Sequence, residues 1–212
     1  ESLNLEGNEI TNVTAINHLA NLNNLYLRGK ENQINLKQIE DIISNLDWLT
    51  VSTESLTTIS NCNKSKITKL NLIASGLTEL PDLSSFTYLI RLSLQQNSSI
   101  SNFNEVSKIT SLKDLSLKNN NLHGKIIDFS KLINLTNLDL SGNTLWSEDL
   151  ENLKALKNNT NLTIDLSNNS IIDATALLEL DSNTKIYLRN NINLSQDSKD
   201  KLKAKFGNNV TF

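Results

Sequence analysis

Apolar residues recur along this chain in one arrangement, two of them a single residue apart and a third three residues before, followed by a short polar run ending in asparagine. "LIRLSLQQNSS" (89–99), "LKDLSLKNNNL" (112–122), "LTNLDLSGNTL" (135–145) and "TIDLSNNSI" (163–171) are versions of one phrase, LxxLxLxxNxL. Counted by its sixth position, the phrase falls at Leu5, Leu27, Val51, Leu72, Leu94, Leu117, Leu140, Leu166 and Leu188, at spacings of 22, 24, 21, 22, 23, 23, 26 and 22 residues. In an extended segment the fourth and sixth positions share one face while the third, fifth and seventh share the other. Each unit therefore predicts a short strand with one apolar face. No single unit can bury that face alone, but a parallel stack can, so stability accumulates between neighbours.

Nine units at this period predict a leucine-rich repeat solenoid, an α/β fold shaped as a curved horseshoe. The parallel β-sheet lines its concave face; short helices, 3₁₀ turns and extended segments cross the convex face. "INLKQIEDIISNL" and "SEDLENLKALK" have the apolar spacing of helices, the second with Ser147 as N-cap, whereas "LTELPDLSSF", with Pro81, fits an extended or 3₁₀ path. The repeats are expected over residues 1–194. Over 195–212, Ser195 as a cap, acids before lysines and Gly207 as a stop predict a capping helix, and Val210 and Phe212 a closing strand.

The ninth position must satisfy backbone groups where the chain turns inward. A buried asparagine can donate to and accept from the turn backbone at once, so Asn8, Asn97, Asn120, Asn143, Asn169 and Asn191 predict a structural ladder. Lys30, Glu54 and Ser75 stand at that position in units two to four, where the ladder is expected to break, and "GKEN" before Ile34 reads as an insertion.

Composition narrows the function. Asparagine supplies 34 of 212 residues, and 20 basic and 23 acidic residues are dispersed with a net charge of −3, so the chain lacks the basic stripe that nucleic-acid binding needs. Cys62 is alone and cannot form an internal disulfide. No apolar run reaches the roughly 20 residues that span a bilayer, and "ESLNLEGNEI" is not a signal peptide, so any export signal or anchor is expected outside this stretch. His18 and His123 lie in different units, with no triad or metal-ligand spacing around either, and they read as loop or edge residues. No cofactor, metal or catalytic motif is expected. Asp139 and Asp165, both at the fifth position of adjacent units, should stand side by side roughly 5 Å apart on the concave face. They are either two solvated acids or a seat for a cation or a basic partner group. The Asn-x-Ser/Thr matches, as at Asn12, Asn134 and Asn161, are the number a chain this rich in Asn, Ser and Thr produces by chance, and no glycan is assigned to them.

Units one and five to nine, with their 22-residue mode, their LxxLxLxxNxI phrase and their short convex segments, resemble the bacterial leucine-rich repeats of the internalin-like class. The resemblance implies a non-enzymatic, exported or cell-surface protein that binds other proteins through its concave sheet, in adhesion or host interaction. The irregular third and fourth units and the helices expected on the convex face depart from that class. The alternatives are a structural spacer or stalk within a larger surface protein, or the substrate-recognition arm of an enzyme effector. A monomer is expected.

Aromatic and arginine side chains dominate interface hot spots. Read at the third, fifth and seventh positions, they gather in units two to five, so Tyr26, Arg28, Trp48, Lys69, Ile73 and Arg91 are the expected partner-binding surface, with Trp48 at its centre. The other reading has Trp48 filling the irregular third unit and the basic residues forming an ordinary solvated face.

Overall fold

A computed structural model describes residues 1–29, 32, 34–125 and 127–212. Its fold is a leucine-rich repeat solenoid. Ten strands of two or three residues are found among the described residues: β1 (Ser2–Asn4), β2 (Asn24–Tyr26), β3 (Trp48–Thr50), β4 (Lys69–Asn71), β5 (Arg91–Ser93), β6 (Asp114–Ser116), β7 (Asn137–Asp139), β8 (Thr163–Asp165), β9 (Lys185–Tyr187) and β10 (Val210–Thr211). Their pairs are parallel, and from β4 to β9 the fourth-position residues Leu70, Leu92, Leu115, Leu138, Ile164 and Ile186 meet one another in register. The sixth-position residues from Leu27 to Leu188 are buried with them in one continuous core.

The strands do not form one sheet. β1 to β3 make a three-stranded sheet and β4 to β10 a seven-stranded one. Between them, among the described residues, a single bridge joins Leu49 to Leu72, which pairs a fourth position with a sixth. That shift of two residues keeps every leucine facing inward, because the side-chain period is also two, but it removes the regular ladder. Side chains fasten the seam instead: Asn71 Nδ2 donates to the Leu46 carbonyl, and Arg28 Nη1 reaches past the third unit to the Ala74 carbonyl at 2.9 Å.

The convex side differs from the expectation of α-helices. "INLKQIEDIISNL" folds as two 3₁₀ turns, Leu36–Ile39 and Ile43–Asn45, and "SEDLENLKALK" as a ten-residue 3₁₀ helix, Ser147–Leu156. The buried apolar residues explain this. Leu150, Leu153 and Leu156 are spaced three apart, the residue period of a 3₁₀ helix rather than of an α-helix, as are Leu36 and Ile39, and the path restarts at buried Ile43, which opens the second turn. Ser147 is not the cap: Asp149 accepts from the Trp146 N–H, while Ser147 Oγ accepts from the backbone of Ile172 and Asp173 in the next unit. A short α-helix, α1 (Thr53–Thr57), stands in the third unit, capped by Ser52 Oγ accepting from the Ser55 N–H. The segment with Pro81 has no helix. At the end, α2 (Gln196–Phe206) starts at Ser195, stops at Gly207 with φ 55°, and buries Leu202 and Phe206 against the last turns, beside β10 paired on β9.

The turn ladder runs further than the ninth-position count implies. In units five to nine, Asn97, Asn120, Asn143, Asn169 and Asn191 are buried. Asn143 shows the pattern: Nδ2 donates to the carbonyls of Leu117, Leu140 and Ser141, and Oδ1 accepts from the Asn120 N–H. Lys30 lies outside the described residues, but the insertion brings Asn32 to the same place, fully buried, donating to the Leu5 and Leu27 carbonyls and accepting from the Ile10 N–H. In unit three Ser55, not Glu54, occupies the site; its Oγ donates to the Asn32 carbonyl and accepts from the Ile34 N–H. Ser75 fills it in unit four, with Oγ turned to the Leu49 and Ile73 carbonyls. Asn8 is the exception and is exposed; among the described residues it donates within its own turn, to the Leu5 and Glu6 carbonyls. A ladder asparagine is enclosed by the turn on its N-terminal side, and among the described residues no turn stands on that side of Asn8.

Candidate functional site: the concave sheet

The strands present their third, fifth and seventh positions to a concave face, and over β4 to β9 this face encloses an open groove of about 500 Å³. Lys69, Ile73 and Arg91 line it, whereas Tyr26, Arg28 and Trp48 lie outside it on the three-stranded sheet. The six residues expected to form one surface are thus divided by the seam. On the N-terminal side, Tyr26 and Trp48 pack with ring centroids 6.3 Å apart at 37°, both half-buried, and Trp48 Nε1 is buried without a partner among the described residues. Arg28 lies 3.6 Å from Glu6 in addition to its bond to Ala74.

In the groove itself the cations are paired. Lys69 bonds Asp47, whose carboxyl is held below the usual carboxylate range by that ammonium. Arg91 reaches Asp114 Oδ2 through Nε and Nη2, each at 3.1 Å. Ile73 departs from the expected outward pose: it is buried, at 6% exposure, in the floor of the groove beside the seam. Thr50 and Ser52 of unit three are buried as well.

Asp139 and Asp165 are register partners on β7 and β8 and line the same groove. Each folds back on the residue two ahead: Asp139 Oδ1 accepts from the N–H and hydroxyl of Ser141, and Asp165 Oδ1 from the Ser167 N–H. Neither is within ion-pair distance of a cation among the described residues.

A second polar cluster, missed in the sequence, lies on the rim. Asp149, mostly buried, accepts from the N–H groups of Trp146 and Gly124 and bonds His123 Nδ1 at 2.8 Å, while the His123 ring stacks on Trp146 with centroids 4.3 Å apart. The signal was available: His123 and Trp146 each follow the eleventh-position leucine of adjacent units, so stacking the units stacks the rings. His18 is exposed, and burial pushes the Cys62 thiol up to about 11, which leaves it unreactive. Among the described residues no group of three or more His, Cys, Asp or Glu is placed to hold a metal, and no helix is long and apolar enough to cross a membrane.

Among solved structures, internalin C2 of Listeria monocytogenes aligns over 100% of this chain and 78% of its own, at 24% identity and a TM-score of 0.52. An internalin of the same organism, InlF, aligns over 87% of this chain and 65% of its own at 22% identity and a TM-score of 0.45. A leucine-rich repeat protein of Leptospira interrogans aligns over 99% and 60% at 21% identity and a TM-score of 0.49. No protein-family model and no curated protein matches. The likeness to internalin C2 is one of fold, the bacterial internalin-like leucine-rich repeat solenoid.

Proposed function

We propose that this chain is a protein-binding module, part of an exported or cell-surface bacterial protein, and that its concave sheet captures a protein partner as a monomer. The observation that carries the reading is the groove over β4 to β9, whose charged side chains are partnered by ion pairs and Asx turns. Preorganised polar groups lose little entropy on binding, and that is a large part of what separates an interface from an ordinary surface. On this reading Lys69 and Arg91 contact the partner within the groove and Tyr26, Arg28 and Trp48 extend the contact across the seam, with the Tyr26–Trp48 pair as an aromatic anchor at its N-terminal side, while buried Ile73 supports the groove floor from below. The bacterial and surface setting is supported by the internalin-like fold.

The test is site-specific photo-cross-linking on cells of the source bacterium's environment. A benzophenone amino acid at Tyr26 or at Gln95 on the concave face should give a discrete protein adduct, and one at exposed Lys157 on the convex side should give none. Adducts from Lys157 alone would place the working surface on the other side of the solenoid.

A further inference from the structure

The groove carries more negative than positive charge: four carboxylates, Asp47, Asp114, Asp139 and Asp165, against Lys69 and Arg91. Both cations are spent on the first two acids. The uncompensated charge therefore resides on Asp139 and Asp165, directly opposed on adjacent strands. Like charges in that relation are unfavourable for a sheet, and a cation placed between them would turn the repulsion into attraction.

A second observation lies in the same row. The fifth positions run Ser93, Ser116, Asp139, Asp165, Tyr187, each the register partner of the next. Ser93, at 6% exposure, has a buried hydroxyl with no hydrogen-bond partner among the described residues. A buried hydroxyl left unpaired is unfavourable until another group reaches it. Two strand spacings, ~10 Å, separate Ser93 from Asp139, and an extended chain covers that distance in about three residues. Tyr187 follows, register-paired in turn with Thr211, and carries Arg189 over its ring, 6.0 Å from the centroid, so a guest cation meets like charge there and is confined to the acid pair.

We infer that the groove seats an extended, arginine-bearing segment of the protein partner, its guanidinium between Asp139 and Asp165 and a polar group about three residues away at Ser93. The inference rests on the reading of the concave sheet as the binding face. Arginine suits the pair better than lysine because its planar fork offers several donors, enough for both carboxylates at once.

The probe is a synthetic peptide, acetyl-Gly-Arg-Gly-Gly-Ser-Gly-amide, titrated into the ¹⁵N-labelled protein at low salt, with its citrulline counterpart as the uncharged control. Amide shifts should centre on Asp139 and Asp165 and extend to Ser93. The citrulline peptide and the D139N/D165N variant should each weaken binding at least tenfold; asparagine keeps the acceptor oxygen for the turn bonds, so the variant's melting temperature should not fall. Equal affinity for the variant, or shifts centred on acids outside the groove, would overturn the arginine seat. So would calcium chloride displacing the peptide at equimolar concentration, which would make the pair a metal site. Shifts at Lys69 and Arg91 with none at Asp139 or Asp165 would overturn the seat while leaving the concave face as the binding surface; shifts confined to the convex side would remove both.

Discussion

Asn143 shows how much one residue can hold in this fold. It donates to three carbonyls and accepts from one N–H, drawn from its own turn and the one before it; alanine there would remove all four bonds and strand the buried Asn120 N–H, while the Leu117, Leu140 and Ser141 carbonyls would each keep one donor. At about 1–3 kcal/mol for the stranded N–H and about 0.5–1.5 kcal/mol for each of the other three lost bonds, Asn143→Ala should cost ~3 kcal/mol or more. Its neighbour by type, Asn119, is exposed but sits at φ 57°, so Asn119→Ala should cost only the roughly 1–2 kcal/mol of a left-handed pose. Thermal melts should separate the two by several degrees, and equal melting temperatures would remove the ladder argument. Asp149 adds a pH dependence. Burial alone would raise its pKa, yet the His123 side chain and the Trp146 and Gly124 N–H groups together hold it below the usual carboxylate range. A depressed folded-state pKa stabilises above the unfolded value near 4, and this stabilisation is lost as pH falls through the folded value. The melting temperature of the wild type should therefore drop more between pH 7 and pH 3 than that of Asp149→Asn. Parallel pH profiles would show that the cluster contributes nothing.

At the scale of elements, the strands were legible because the two-residue alternation and the repeat period agree at every unit. The convex side was not, because "helical spacing" conflates periods of 3.0 and 3.6. Leu150, Leu153 and Leu156 follow the first, and a 3₁₀ path, at about 2.0 Å per residue, spans the unit with fewer residues than an α-helix would need. The ladder was half legible. A count fixed at the ninth position passes over Asn32 and Ser55, which an insertion and a short helix bring to the same place. The seam between β3 and β4 had no local sign beyond the 21-residue spacing that follows a 24-residue one, since inward leucines look the same in either register. It has a kinetic consequence. With one bridge in place of a regular ladder, β1 to β3 should open as a unit, and local opening of this kind is read by hydrogen exchange. Amides of residues 1–50 should exchange faster than those of β5 to β9, fastest over residues 1–20, with the step falling between Thr50 and Lys69. Uniform protection across both sheets would mean the seam is energetically silent.

Across the whole molecule, a solenoid has two open ends, and its interior is shielded only by what stands on them. The C-terminal end is closed by α2 and β10, which place Leu202, Phe206 and Val210 on the last repeats and pair β10 along β9. Remove them and Ile186, Leu188 and Leu194 lose their cover while β9 becomes a bare parallel edge, the kind of edge that recruits another chain. A chain ending at Leu194 should therefore melt well below the full chain and elute from a sizing column as dimers or larger species. Phe206→Ala, which keeps the edge paired but empties a buried site, should cost about 3–5 kcal/mol without changing the elution volume. The two effects separate what the helix fills from what the strand blocks. If the shortened chain stayed monomeric with an unchanged melting temperature, the last repeat would be stable on its own core, and residues 195–212 would be an appendage rather than a cap.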